Sequence, residues 1–404
     1  MRTIERFSLY VALTALTALA IDGVLPAMLL IETELGAAPP FSVPQIITVF
    51  VFGMAFGELL IGPMSDAVGR RPAVIAGLFV FVAGTVLAAT GDSLGAVVAG
   101  RFLQGVGVAG PKIGTRAMIR DRYAGAEMAQ VMSVIFTLLI LVPMIAPAIG
   151  AQIAAASGWR GVFWGYFALA FGLGAWLWLR HPETLPAEKR IPFQYRRLKA
   201  NTLAVLRRKD VTPIVIATGF VFGAQLTYFA VAADLFGTVY GLPASMPLFF
   251  ALLATGTGTA LLLNVRFVRR TGMEAPIVAG LGCLGLSGAA LLGAAALTGG
   301  QPPFALLLGL AWVGFFALGL LFGNLNAFAM RPLGALAGLS SSIIASLSSV
   351  VAFVFATAIE RAAGGPVYAI AIAFLCAAVL SALLILIAVP KGSIGRFLSA
   401  RTER

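Results

Sequence analysis

Five side chains in this sequence carry a full charge inside long apolar runs and clear of their ends: the acids Asp22, Glu58 and Asp234, and the bases Arg101 and Lys112. A charge at the centre of a bilayer costs at least about 2.5–3.5 kcal/mol on insertion scales, so such a residue faces a partner or a cavity rather than lipid. The chemistry open to an acid there is proton carriage. Desolvation and a nearby cation pull a carboxyl in opposite directions, and a change of surroundings alters both, so it can load a proton on one side and release it on the other. Arg101 and Lys112 are eleven residues apart, which is 20° past three helical turns. Both therefore fall on one face about 16 Å apart along the axis, with Gln104 near the same stripe. Asp22 is the deepest acid and the expected coupling carboxylate, with Arg101 and Lys112 setting its electrostatics, Glu58 as the alternate carrier and Asp234 next. Plainer roles stand beside these: Arg101 as a hydrogen-bond hub between helices, Glu58 ordering the inner end of its helix, Asp234 at the membrane interface. Gln225 and Tyr228, three apart, share a face and with Phe222 could line a substrate cavity. Asn324 and Asn326 cannot share one face, and Asn326 is the one assigned inward.

The elements that must hold these residues are read from composition. Of 404 residues 60% are hydrophobic and only 11% charged, against about 25% charged in soluble domains. Cytosolic enzymology, nucleic-acid binding and disorder are poor readings of such a chain. Apolar runs fall at 7–30, 43–64, 72–90, 96–118, 128–154, 159–180, 211–240, 246–264, 275–298, 303–328, 336–359 and 365–389. Each approaches the roughly 20 residues that a spanning helix needs. They are continuous, unlike the alternating segments of a membrane β-barrel. The fold expected is all-α and integral to the membrane, with twelve transmembrane helices. Cys283 and Cys376 lie in separate runs without metal-ligand spacing. The lone histidine, His181, reads as an interfacial residue at a helix exit. With one His and no His/Asp/Glu cluster, an integral-membrane enzyme is poorly supported, and no metal or cofactor is expected.

Charge orients the helices. With the N-terminus in the cytoplasm, 24 of the 28 Lys and Arg fall on the inner side, including Arg2, Lys391, Arg396, Arg401 and Arg404. Arg160 and Arg361 fall outside, and Arg101 and Lys112 lie within helix 4. That asymmetry follows the positive-inside rule and favours an even helix count with both termini cytoplasmic. The longest polar interruption divides the chain into 1–180, a basic cytoplasmic linker 181–210, and 211–404. The stretch 193–208 alternates apolar and cationic residues, as a helix lying on an anionic inner leaflet would. A weak repeat supports two pseudo-symmetric six-helix halves: Gly62 to Arg71 between helices 2 and 3, and Asn264 to Gly272 between helices 8 and 9, are both read as short basic loops. Two such halves suit alternating access.

The pattern Gly62-x-x-x-Asp66-x-x-Gly69-Arg70-Arg71 resembles the loop 2–3 signature of the major facilitator superfamily. Asp22 to Pro26 in helix 1, Arg101, Gln104, Gly105 and Gly107 in helix 4, Pro143, Pro147 and Gly150 in helix 5, Glu183-Thr-Leu-Pro186 after helix 6 and Asn326 to Gly334 at helix 10 are together similar to its twelve-span drug:proton antiporters of the Bcr/CflA type. The resemblance covers nearly the whole chain. It implies a proton-coupled exporter of small amphipathic compounds in a bacterial inner membrane, with substrate, protons and the bilayer as its partners, acting as a monomer. It also implies that the Asp66–Arg71 cluster gates the cytoplasmic side. Pro143 and Pro147, which both disturb backbone hydrogen bonding, should bend helix 5 into a seal with Gly150, against the Thr255 to Gly258 run of helix 8. The rival within the fold is a carrier of an anionic solute or an uptake symporter, favoured by the two cations in line on helix 4.

Overall fold

The computed structural model of the protein describes residues 3–36 and 39–389; Arg2, Lys391, Arg396, Arg401 and Arg404 lie outside the described residues. Helices and short connections account for what is described, with no strand among the described residues. In chain order the long helices are α1 (Thr3–Leu35), α2 (Gln45–Val68), α3 (Arg70–Thr90), α4 (Leu94–Arg122), α5 (125–156), α6 (159–180), α7 (Thr212–Asp234), α8 (Met246–Thr271), α9 (Glu274–Leu297), α10 (Phe304–Met330), α11 (Ala337–Ala362) and α12 (Pro366–Ala388). A shorter helix, Tyr195–Leu206, lies in the linker.

By length and apolarity alone, ten segments among the described residues qualify as membrane spans. Two features account for the difference from twelve. α5 and α6 run on as one hydrogen-bonded element, Gly125–Arg180, and part only at Ser157 and Gly158, where Gly158 has φ 71°. α4 is the least apolar of the twelve, because Arg101, Gln104 and several glycines replace large apolar side chains. It is held by close packing instead. A Cβ on Gly105 would stand 2.0 Å from the Phe50 carbonyl oxygen of α2, and one on Gly107 would stand 2.2 Å from the Phe81 nitrogen of α3. Small residues let helices approach this closely where lipid supplies no hydrophobic drive between them.

The chain forms two compact units that part between Leu198 and Lys199, inside the linker helix. In the first unit α4 packs on α2 and α3, and the α5–α6 element packs on α1 and α3. In the second, α10 packs on α8 and α9, while α7 packs on α11 and α12 and α9 on α12. Each pairing in the first unit thus has its counterpart six helices later, so the repeat hinted at by two basic segments extends to the packing scheme.

Those two basic segments are mostly helical rather than loops. α2 continues to Val68 and α8 to Thr271, which keeps their backbone groups bonded past the apolar run. The turns narrow to Gly69 and Gly272, at φ 110° and 76°, a region that favours glycine. Gly62, expected in a turn, lies within α2. Along α5 the backbone keeps helical angles through Pro143 and Pro147. The close approach of Gly150 is made inside its own unit, where a Cβ would stand 1.9 Å from the Gly23 carbonyl oxygen of α1. In α8 the small-residue run faces α10: Trp312 Nε1 donates to Thr255 Oγ1 at 3.0 Å, and Thr257 Oγ1 to the Phe315 carbonyl at 3.2 Å.

Candidate functional site

Asp22 ends the first α-helical segment of α1. The chain then passes through a 3-10 turn, Leu25–Ala27, before helix resumes at Met28. Pro26 has no N–H to donate to the carbonyl four residues back, which is that of Asp22, so the break falls at the carboxylate. The side chain is buried at 3% exposure, and the bare backbone of Gly23 allows α5 and α6 to close over it. Discontinuous helices of this kind supply the binding positions of many transporters.

Arg101 is fully buried in α4. Its Nε donates to the Ile46 carbonyl of α2 and its Nη1 to Gln104 Oε1, both at 2.8 Å, and the guanidinium carbon lies 4.2 Å from the centre of the Phe50 ring. Gln104 Nε2 donates in turn to Thr85 Oγ1 of α3 at 2.7 Å. A chain of partners thus ties α4 to α2 and α3, the hub arrangement that stood beside the binding role. Lys112 donates to Glu58 Oε1 of α2 at 2.5 Å, with Met54 Sδ 3.4 Å away. The structure therefore brings Lys112 to Glu58, where the expectation set both cations of α4 against Asp22. The reason is that α2 lies along this face of α4.

At the other end of the same helices, Arg70 is held by three partners. It donates to Asp121 Oδ2 of α4 at 2.8 Å, to Ser65 Oγ at 2.7 Å and to Asp66. Arg71 donates to the Trp178 carbonyl of α6. The first amides of α3 are capped from 112–113 residues away: Glu183 accepts from Arg70 N at 2.9 Å and Arg71 N at 3.1 Å. It also accepts from Thr184 N and Leu185 N. A carboxylate at a helix N-terminus satisfies free N–H groups and meets the positive end of the dipole. The Asp66 carbonyl accepts from Ile191 N at 2.9 Å, fastening the linker to the same turn. The cap on α3 comes from Glu183, while Asp66 pairs with Arg70.

The second unit places its expected residues apart. Tyr228 is buried in an aromatic cluster, 4.9 Å from Phe315 and 5.5 Å from Phe250 between ring centres. Phe222 meets Phe322 edge-on at 5.8 Å, and Gln225 is half-buried. Asn324 is the buried asparagine of α10, donating to Asn264 Oδ1 and the Leu320 carbonyl, both at 2.7 Å. Asn326 is half-buried and donates back to the Phe322 carbonyl. Asp234 is the exposed last residue of α7, before a π-helical turn. His181 is not a surface residue: it folds back against α1, where its Nε2 shares a 2.8 Å hydrogen bond with the Tyr10 hydroxyl. Burial holds it below its ordinary 6.5, and Arg122, Arg6 and Arg71 press the same way.

Sequence reasoning missed two contributors. Glu183 was visible only as part of a motif, and Asp121 only as the acid in a basic helix end. Their partners are distant in the chain.

The model of the Major Facilitator Superfamily matches residues 10–357. The chain belongs to the major facilitator superfamily. Within the superfamily it is 30% identical over 338 residues, 83% of each chain, to the bicyclomycin resistance protein homolog of Haemophilus influenzae. It is 28% identical to the chloramphenicol resistance protein of Pseudomonas aeruginosa, over 69% of this chain and 65% of that one. These relatives agree with the Bcr/CflA resemblance of the motifs. Among solved structures, a partially occluded inward-open xylose transporter XylE from E. coli superposes with a TM-score of 0.72 at 14% identity, over 96% of this chain and 98% of that one. The human organic anion transporter MFSD10 gives 0.61 at 20% identity, over 98% and 97%. At such identities the likeness is one of fold. As a superfamily member the protein is a multi-pass transporter of small molecules.

Proposed function

We propose that this protein exports small amphipathic compounds, antibiotics of the bicyclomycin and chloramphenicol kind among them, in exchange for protons. It acts as a monomer in a bacterial inner membrane, with both termini cytoplasmic. Transport proceeds by alternating access, with 1–180 and 211–404 as its two halves, and the linker 181–210 lies on the cytoplasmic side. The observation that carries the reading is the buried Asp22 at the break in α1, in a chain whose relatives are named for antibiotic resistance. Asp22 carries the proton, with Glu58 as the alternate carrier. The half-buried side chains Lys112, Phe222, Gln225 and Asn326 contact substrate, while Arg101, Gln104 and Tyr228 hold the helices that present them. Asp66, Arg70, Arg71 and Glu183 govern opening on the inner side. The pairing of Lys112 with Glu58 weighs against the anionic-solute rival, because one of the two cations in line is already neutralised.

Cells lacking their own exporters test this directly. Wild-type protein should raise resistance to bicyclomycin or chloramphenicol and lower cellular chloramphenicol, and adding the drug to purified protein in detergent should release protons. Asp22→Asn should bind drug but neither export it uphill nor release protons. Drug accumulation driven by expression, or proton uptake on drug addition, would turn the reading into symport.

A further inference from the structure

Among the eight buried side-chain polar atoms of the first unit that lack a partner among the described residues are the Tyr166 hydroxyl of α6 and Nη2 of Arg101. Orphan groups of this kind are rare, because each forfeits the bonds it made in water. The first of these two stands near a third buried polar group. A Cβ on Gly23, the residue after Asp22, would lie 2.8 Å from the Tyr166 hydroxyl, so the phenol reaches the break in α1. Arg101 lies on α4, which packs on α1 and on the α5–α6 element. From α5 the break meets the Ala146 carbonyl and Gly150, which do not titrate. A buried carboxyl, phenol and guanidinium thus sit on three helices packed against one another, and neither the carboxyl nor the guanidinium is bonded to the phenol.

We propose that the Tyr166 hydroxyl is the positioning group that links the Asp22 carboxyl to the Arg101 guanidinium in the proton cycle, a reading that rests on Asp22 being the coupling acid. When Asp22 is ionised, Tyr166 O–H donates to the carboxylate and Arg101 Nη2–H donates to the phenol oxygen, so α1, α6 and α4 are drawn together. When Asp22 is protonated, the neutral carboxyl is a weaker acceptor for that O–H, and the link loosens. Tyrosine keeps its own proton throughout; the transported proton sits on Asp22 and exchanges with water. A link that favours the ionised acid makes release of the proton and rearrangement of three helices one event.

The test reads Asp22 itself. Full-length protein is titrated while the infrared band of protonated carboxyl groups is followed, with Asp22→Asn identifying the contribution of Asp22. Tyr166→Phe keeps the ring and removes the donor, so the Asp22 midpoint should rise by about one pH unit, a tenfold change in proton affinity. The pH profile of gradient-driven chloramphenicol flux in proteoliposomes should move the same way. If Tyr166→Phe fails to fold, incorporation of 3-fluorotyrosine, a stronger donor of the same shape, should lower the midpoint instead. An Asp22 band that titrates without regard to either change overturns the role of Tyr166 alone. Absence of any titrating Asp22 band overturns the assignment of the coupling acid, and the role of Tyr166 with it.

Discussion

Glu58 and Lys112 neutralise one another across the α2–α4 contact, with the Glu58 side chain wholly enclosed and that of Lys112 at 20% exposure. Removing one member of such a pair leaves the other charge enclosed without its counter-ion, which costs more than the pair itself contributes. Glu58→Gln should therefore lower stability by about 3 kcal/mol. The double variant Glu58→Gln with Lys112→Met should recover most of that loss, as measured by unfolding in detergent. Full retention of stability in the single variant would mean that Lys112 reaches water. His181 makes a second prediction at this scale. Its folded form resists protonation below the ordinary value of 6.5. The unfolded chain thus takes up the proton first, and stability should fall as pH drops through 6.5, levelling out below the folded midpoint. The melting temperature of His181→Gln should be flatter between pH 7.5 and 5 than that of the wild type.

Helix ends and crossings decide the behaviour of elements. Glu183 caps α3 through two amides, so Glu183→Gln should cost about 1 kcal/mol and slow turnover, with chloramphenicol affinity changed by no more than a few fold. Asp66→Asn should slow turnover while leaving Arg70 anchored on Asp121 and Ser65; a large loss of equilibrium binding would show instead that this turn shapes the substrate site. The second unit repeats the arrangement with the charges exchanged. There Glu274 opens α9 beside Gly272, and Arg331 at the end of α10 donates to it at 3.3 Å. In the first unit the base opens α3 and the acid closes α4. Gly150 belongs to a crossing rather than an end. Any side chain there displaces the Gly23 backbone, so Gly150→Leu should reduce the yield of folded protein as well as export, and Pro147→Leu should spare the yield. Equal yields for both would move the α1–α5 contact elsewhere.

For the whole molecule the decisive property is which side each connection faces. Asp92, 99% exposed between α3 and α4, and Glu188 in the linker are assigned to opposite sides by the distribution of Lys and Arg. In a background with Cys283 and Cys376 replaced by Ser, Asp92→Cys should react with a membrane-impermeant maleimide in intact cells. Glu188→Cys should react only after permeabilisation. Reversed labelling would invert the topology, and with it the direction of the proton cycle proposed for Asp22.

Hydropathy and charge are local quantities, and they made the all-helical fold and the positions of the spanning runs readable from the chain. Asp22 stood out because an acid in an apolar run is conspicuous wherever it sits, while the break beside it at Pro26 was seen only in the structure. The extent of α2 and α8 was not readable in this way: polarity at 62–68 and 264–271 signals departure from the apolar core, whereas helix continues as long as its own hydrogen bonds persist. Partners were decided by packing alone. Nothing within Glu183-Thr-Leu-Pro186 points to Gly69 over a hundred residues earlier, and the spacing of Arg101 and Lys112 on one stripe is silent about which helix covers it. Tertiary structure placed α2 there and so gave Lys112 to Glu58. It placed the bare backbones of Gly23 and Gly150 together, and that approach let the Tyr166 hydroxyl reach the break beside Asp22.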